Sequence, residues 1–140
     1  MKKNIATAAA QEVAAILDGL EIEGEKLSAE VKFIPEKALS TSKQLSALVV
    51  PHGITTNLVS RARLHDSDVQ LDVGIMRRAS LEELEQLLDT VQTIGEIIEG
   101  ASLECGTCSQ VEYAPLYDVE AFLQQHSFIS VIRVKIRILQ

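Results

Sequence analysis

An α+β fold is expected, with a mixed or mostly antiparallel sheet of four to five strands and helices packed on one face. Three observations predict it. Val69, Leu71, Val73 and Ile75 alternate with Asp68, Gln70 and Asp72, which is the period of a strand with one buried face. Ser80, with Glu83 three residues on, forms a capping box ahead of Leu81, Leu84, Leu87, Leu88, Val91, Ile94 and Ile98, an apolar stripe at helical spacing. The predicted elements then run α β β β α (β) α β, without the regular strand-helix alternation of a parallel doubly wound sheet. The 140 residues suit a single domain, 1–140, around one core.

The elements follow in order. Asn4 can cap a helix over residues 5–20, whose stripe is Ile5, Ala9, Val13, Ile16, Leu17 and Leu20 and whose many alanines permit close packing on a sheet. The acidic segment 21–25 with Gly24 reads as a turn. Residues 28–34 alternate as a short strand that Pro35 ends, residues 36–44 are a Ser/Thr-rich loop, and 45–50 form a second strand that Pro51 ends. Residues 52–64 have little internal pattern and read as a long loop holding His52, Asn57, Arg61 and Arg63, and long loops are often functional. After the strand and helix of 66–99, Gly100 is a natural stop. Residues 111–114 read as an extended piece, Asp118 can cap a helix over 119–125, and a last strand covers 128–139. In that strand Ile132, Val134, Ile136 and Ile138 face one way and Arg133, Lys135 and Arg137 the other.

Two charged rows stand out: Asp66, Asp68 and Asp72 on one strand, Arg133, Lys135 and Arg137 on another. Opposite charges at facing positions stabilise a strand pair modestly. The rows are expected either to be neighbours in the sheet or to meet across a subunit boundary; each is otherwise an ordinary solvated face.

Composition excludes several classes. Apolar residues make up 46% of the chain, so a core can be buried; aromatics are only 4% and Trp is absent, which disfavours stacking on bases or sugars. A formal charge of −7 argues against a free nucleic-acid-binding protein. The N-terminal stretch contains Gln11, Glu12 and Asp18 and does not read as a secretory signal. No apolar run approaches the roughly 20 residues of a membrane helix. A soluble product made in a cytoplasm is expected, and two cysteines do not make a secreted disulfide scaffold.

Cys105-Gly106-Thr107-Cys108 is the one motif with a chemical look. A redox pair needs a helix N-terminus to lower its thiol pKa, and residues 109–115 have no helical period. Zinc needs four ligands, of which this motif supplies two, and His52, His65 and His126 are scattered. A tight loop with two incidental thiols is the leading reading, with zinc or a redox-sensitive disulfide left open. His65-Asp66 opens a strand and lacks the helical setting and further ligands of a metal phosphohydrolase. No phosphate-binding glycine motif occurs. Glu82, Glu83, Glu85 and Asp89 read as a solvated helix face with favourable N-terminal charge. Arg77-Arg78 marks the strand-to-helix turn, and Arg61 and Arg63 read as loop solubility or as contacts to a partner or phosphate.

In order along the chain stand LVVPHG, a loop, DVQLDVGIMRR, LEELEQLLDTVQTIGEIIE and PLYDVEAFLQQHSFISVIRVKIRI. That series, over about residues 28–140, resembles the tail terminator (tail completion, neck) proteins of long-tailed bacteriophages and prophages, and the first helix sits where the family has one. The resemblance implies a small α/β fold and a homo-oligomeric ring, usually a hexamer, at the head-proximal end of the tail tube. Such a ring stops tube polymerisation, docks to the tail tube protein and to the head-side connector, and lets genomic DNA pass without sequence-specific binding. It implies a virion protein assembled in the host bacterial cytoplasm, with no membrane, no enzymatic activity, no cofactor and no catalytic residue to carry over. The CGTC motif departs from the family. Asp66, Asp68, Asp72, Arg133, Lys135 and Arg137 are the candidate subunit interface, since a closed ring needs complementary surfaces. His52, Asn57, Arg61 and Arg63 are the candidate partner-contact loop. The alternatives are a head-tail connector or minor capsid adaptor, and a small zinc- or redox-dependent protein using Cys105 and Cys108.

Overall fold

The computed structural model describes residues 4–33, 43–58 and 65–139. Helix α1 (Ile5–Leu17) opens on Asn4, whose side chain accepts a hydrogen bond from the Thr7 N–H at 2.9 Å. It stops three residues before the expected Leu20, where the chain turns through Gly19 at φ 84°. The acidic turn is the tip of a small hairpin, β1 (Glu21–Ile22) and β2 (Glu25–Lys26), with Glu23 and Gly24 both at positive φ. Strand β3 (Ser28–Val31) is shorter than expected, and residues 34–42 lie outside the described residues.

Strand β4 (Ser46–Leu58) corrects the sequence reading most. It does not end at Pro51 but runs on through residues expected to be loop. Two circumstances admit the proline. Among the described residues β3 pairs with β4 only as far as Val49, leaving Pro51 without a partner strand on that side, and the register shifts by one residue between Pro51 and Gly53. Edges and bulges are where a residue without an N–H is tolerated. Strand β5 (His65–Arg78) follows, then a 3₁₀ turn (Leu81–Glu83) leading into α2 (Leu84–Glu99), β6 (Thr107–Tyr113), α3 (Val119–Gln125) and β7 (Ser127–Leu139). Asp118 caps α3 as expected, accepting from the Ala121 N–H at 3.1 Å. Strand β6 begins at Thr107, well before the expected extended piece.

The sheet order is β3-β4-β5-β7-β6, parallel between β3 and β4 and antiparallel elsewhere. This is the expected α+β class. Its inner face carries Ala47 and Val49 of β4, the Val69–Ile75 alternation of β5, and Ile132, Val134 and Ile136 of β7, all buried. Helix α1 lays Ala9, Ala10, Val13 and Leu17 on it, and α2 lays Leu87, Val91, Ile94 and Ile98. Burying such side chains is worth roughly 1.5–3 kcal/mol each, so the core lies between one sheet face and two helices. Tyr113 reaches from β6 to α2, where its hydroxyl donates to the Gln92 carbonyl at 3.3 Å across the bare surface of Gly95.

Candidate functional site

The two charged rows are cross-strand partners within one chain. Strands β5 and β7 set Asp68 opposite Arg137, Gln70 opposite Lys135 and Asp72 opposite Arg133, while the Asp66 backbone pairs with Leu139. Asp68, Gln70, Asp72, Arg133, Lys135 and Arg137 lie on the sheet face away from α1 and α2, because alternation sends the intervening Val69, Leu71 and Val73 into the core. The Nε atoms of Arg137 and Arg133 lie 3.6 Å from Oδ1 of Asp68 and Asp72, and His52 Nδ1 lies 3.5 Å from the other Asp72 oxygen. The two Oδ1 atoms are buried without a hydrogen bond. At 3.6 Å the charges attract, but the contact is too long to count as a hydrogen bond.

Exposure divides the ladder unequally. The Asp68 and Asp72 side chains retain only 17% and 26% of their accessible surface, whereas Arg137 and Arg133 retain 59% and 55%. The carboxylates are therefore sunk between strands and the guanidiniums stand over them. Strand β6 adds Glu112 opposite Arg133 and Gln110 opposite Lys135. Gln70, Asp72, Gln110, Glu112, Arg133 and Lys135 line a shallow polar depression. The rows thus share one face and largely neutralise each other.

Of the expected contact loop, His52 sits exposed at the β4 bulge and the Asn57 backbone pairs with Asp66. Arg61 and Arg63 lie outside the described residues. The loop reading is corrected as far as Leu58, which is strand. His65-Asp66 opens β5 as expected.

Cys105 lies in the bend after α2 and Cys108 in β6, opposite Ile136, both half-buried against the core as free thiols. Burial pushes both thiols up, and the carboxylates of Glu12 near Cys105 and Glu99 near Cys108 push the same way. A thiolate-based redox pair requires the opposite shift. Among the described residues no group of three His, Cys, Asp or Glu side chains could hold a metal ion. The motif also makes close backbone contacts. A Cβ at Gly106 would lie 2.3 Å from the Arg137 carbonyl oxygen, so the bend packs bare backbone against β7. Glu12 of α1 fixes it from the other side, accepting from the Glu104 and Cys105 N–H groups at 2.9 and 3.0 Å.

Sequence reasoning missed a second polar centre at the end of β5. Arg77, with only 12% of its side chain exposed, pairs with Glu25 of the β1–β2 hairpin at 3.1 Å and with Glu83 of the 3₁₀ turn, and donates to the Lys43 carbonyl at 3.3 Å. Glu83 also accepts from the Ser80 N–H and hydroxyl, both at 3.1 Å. The Ser80 N–H and the Arg77 guanidinium hold its carboxyl below the usual range. The capping box was legible, because its partners are three residues apart; the long-range partner Glu25 was not. Beside this clamp Lys43, Arg78, Ser80 and His126 line an open cavity.

Among the described residues no helix is long and apolar enough to cross a membrane. No protein-family model matches the chain, and comparison with curated proteins gives no match.

Proposed function

We propose that the chain is a structural virion protein, the tail terminator of a long-tailed phage or prophage. In this reading it forms a ring, usually a hexamer, at the head-proximal end of the tail, stops tube polymerisation and joins the tail to the head-side connector. The observation that carries the reading is the order and spacing of the motifs over residues 28–140. The places these motifs take in the fold support it. LVVPHG builds β4 across its proline bulge, and DVQLDVGIMRR is the central strand β5. PLYD is a connector from β6 to α3 that hydrogen-bonds β7 through the Pro115 carbonyl and the Asp118 N–H, at 3.1 and 2.8 Å.

In this reading the charged ladder, whose Arg133 and Arg137 side chains stand exposed, is the candidate ring contact. Negative-stain microscopy and native mass spectrometry of the purified protein test the proposal, with a closed ring expected. Deleting the gene should give overlong tail tubes. Normal-length tails beside filled, unjoined heads would favour a connector role, and a strict monomer at high concentration would overturn the proposal.

A further inference from the structure

Strand β6 ends the sheet on one side, and on the other β4 has no neighbour beyond Val49 among the described residues. Apart from the Pro51 nitrogen, both edges offer backbone N–H and C=O groups to a further strand. The two edges stand at the same height. The pairings Thr55–Asp68–Arg137–Thr107 and Val50–Asp72–Arg133–Glu112 each run straight across the sheet. The edges also break step alike. Between Ile54 and Pro51 strand β4 has two residues, and between Cys108 and Val111 strand β6 has two, where β5 and β7 have the single Gln70 and Lys135. Residues 50–55 of β4 therefore span the same rows as residues 107–112 of β6, one for one.

We propose that β6 of one copy pairs antiparallel with residues 50–55 of β4 in the next, so that the sheet continues from subunit to subunit. The inference rests on the reading of the chain as a ring subunit and names the contact that closes the ring. A rotation about an axis along the strands keeps β4 pointing the same way in every copy. Three antiparallel steps separate β4 from β6, so the strands that meet run in opposite directions. Such a rotation has no rise, and a head-to-tail contact closes only if its two edges stand at one height. Thr107 then faces Thr55, Cys108 faces Ile54 and Val111 faces Pro51, without a register shift. The faces agree as well. Cys108 and Val111 pack half-buried on the core side, where Ile54 pairs with Val69 and is left 47% exposed, while Thr107 and Thr55 stand exposed on the polar side. The extra residue on each edge selects a second copy as the occupant. A strand without it falls out of step by one place, and a slip of one turns its side chains to the wrong face.

The test is oxidative cross-linking of the full-length protein carrying Thr55→Cys and Thr107→Cys, with Cys105→Ser and Cys108→Ser to remove the native thiols. Within one chain three strand spacings, about 14 Å, separate the two positions, beyond the reach of a disulfide. Any bridge between them therefore joins two copies. Copper phenanthroline should give a series of covalent multimers on non-reducing gels that ends at the subunit number of the ring. Thr55→Cys combined with Glu112→Cys, offset by about 13 Å along the strands, should give no more than the single variants. Ile54→Lys needs none of the cysteine changes and alters an exposed side chain. It should shift the assembly to monomer in native mass spectrometry, with an unchanged circular dichroism spectrum. A ring that forms no bridge between positions 55 and 107, equal bridging by the offset pair, or a ring indifferent to Ile54→Lys would overturn the inference and leave the charged ladder as the ring contact. A strict monomer would overturn the ring reading as well.

Discussion

Replacing Arg77 with Met keeps most of the side chain's length and apolar stem while removing its charge and all its donors. The side chain is 12% exposed and joins three segments: Glu25 in the hairpin, the Lys43 carbonyl before β4, and Glu83 at the start of α2. Charge-assisted hydrogen bonds contribute roughly 1.5–3 kcal/mol each when their partners are buried. Here the freed carboxylates can regain water, since Glu25 and Glu83 keep 27% and 40% of their surface. The contributions therefore do not add in full, and a loss of about 2–3 kcal/mol is expected, or a fall in Tm of roughly 6–10 °C for a chain of this size.

Urea denaturation followed by circular dichroism measures the loss, and a double-mutant cycle with Glu83→Gln separates the ion pair from the cap that Glu83 also provides. Acid provides a second readout. The folded-state pKa of Glu83 is depressed, so the stability it brings is present at neutral pH and is lost as pH falls through the carboxylate range. Arg77→Met should flatten part of that acid limb. A loss below about 0.5 kcal/mol, typical of an ordinary surface substitution, with an unchanged acid limb would refute the argument that this is a half-buried clamp.

Other consequences can be checked by the same denaturation assay or by simple chemistry. Gly106→Ala should cost about 3 kcal/mol, because the new Cβ in the bend before β6 meets the backbone oxygen of Arg137, which is held in the β7 ladder. Gly95→Ala should cost less, about 1–2 kcal/mol, since the obstructing atoms belong to the Tyr113 ring and alanine favours the helix; Tyr113→Leu should recover part of the loss. Ser130→Ala should be neutral or stabilising by up to about 1 kcal/mol, because the Ser130 hydroxyl is buried in the sheet without a partner. Cys105 and Cys108 should alkylate more slowly with iodoacetamide in the folded protein than after unfolding, and the rate should climb as pH rises, following thiols that burial has pushed up.

What was legible in the sequence was local or periodic. The alternation of β5 and β7, the stripe of α2 and the caps at Asn4, Ser80 and Asp118 each depend on neighbours within a few residues, and each stands where the pattern puts it. The pairing of the acidic and basic rows was legible as one of two possibilities, because complementary charge indicates adjacency but not whether it lies within a chain. The full length of β4 is not legible because a proline argues against a central strand, whereas among the described residues β3 pairs only as far as Val49 and a bulge follows Pro51. The Arg77 clamp was illegible for a related reason: its partner Glu25 lies 52 residues away, and the turn between them is set by the fold.

The sheet order also governs when the molecule can become whole. Strand β7 is made after every other strand and yet lies between β5 and β6, sharing a ladder with each. On the ribosome, β6 emerges with no partner, and the flank of β5 stays open until the final strand is released. The apolar faces of α2 and β6 must wait for Ile132, Val134 and Ile136. Pairings so distant in sequence form slowly, so a nascent or truncated chain presents an unclosed sheet edge to proteases, chaperones and other copies of itself. The arrival of β7 is therefore the step that closes the sheet, since nothing shorter than the chain through that strand can join β6 to β5.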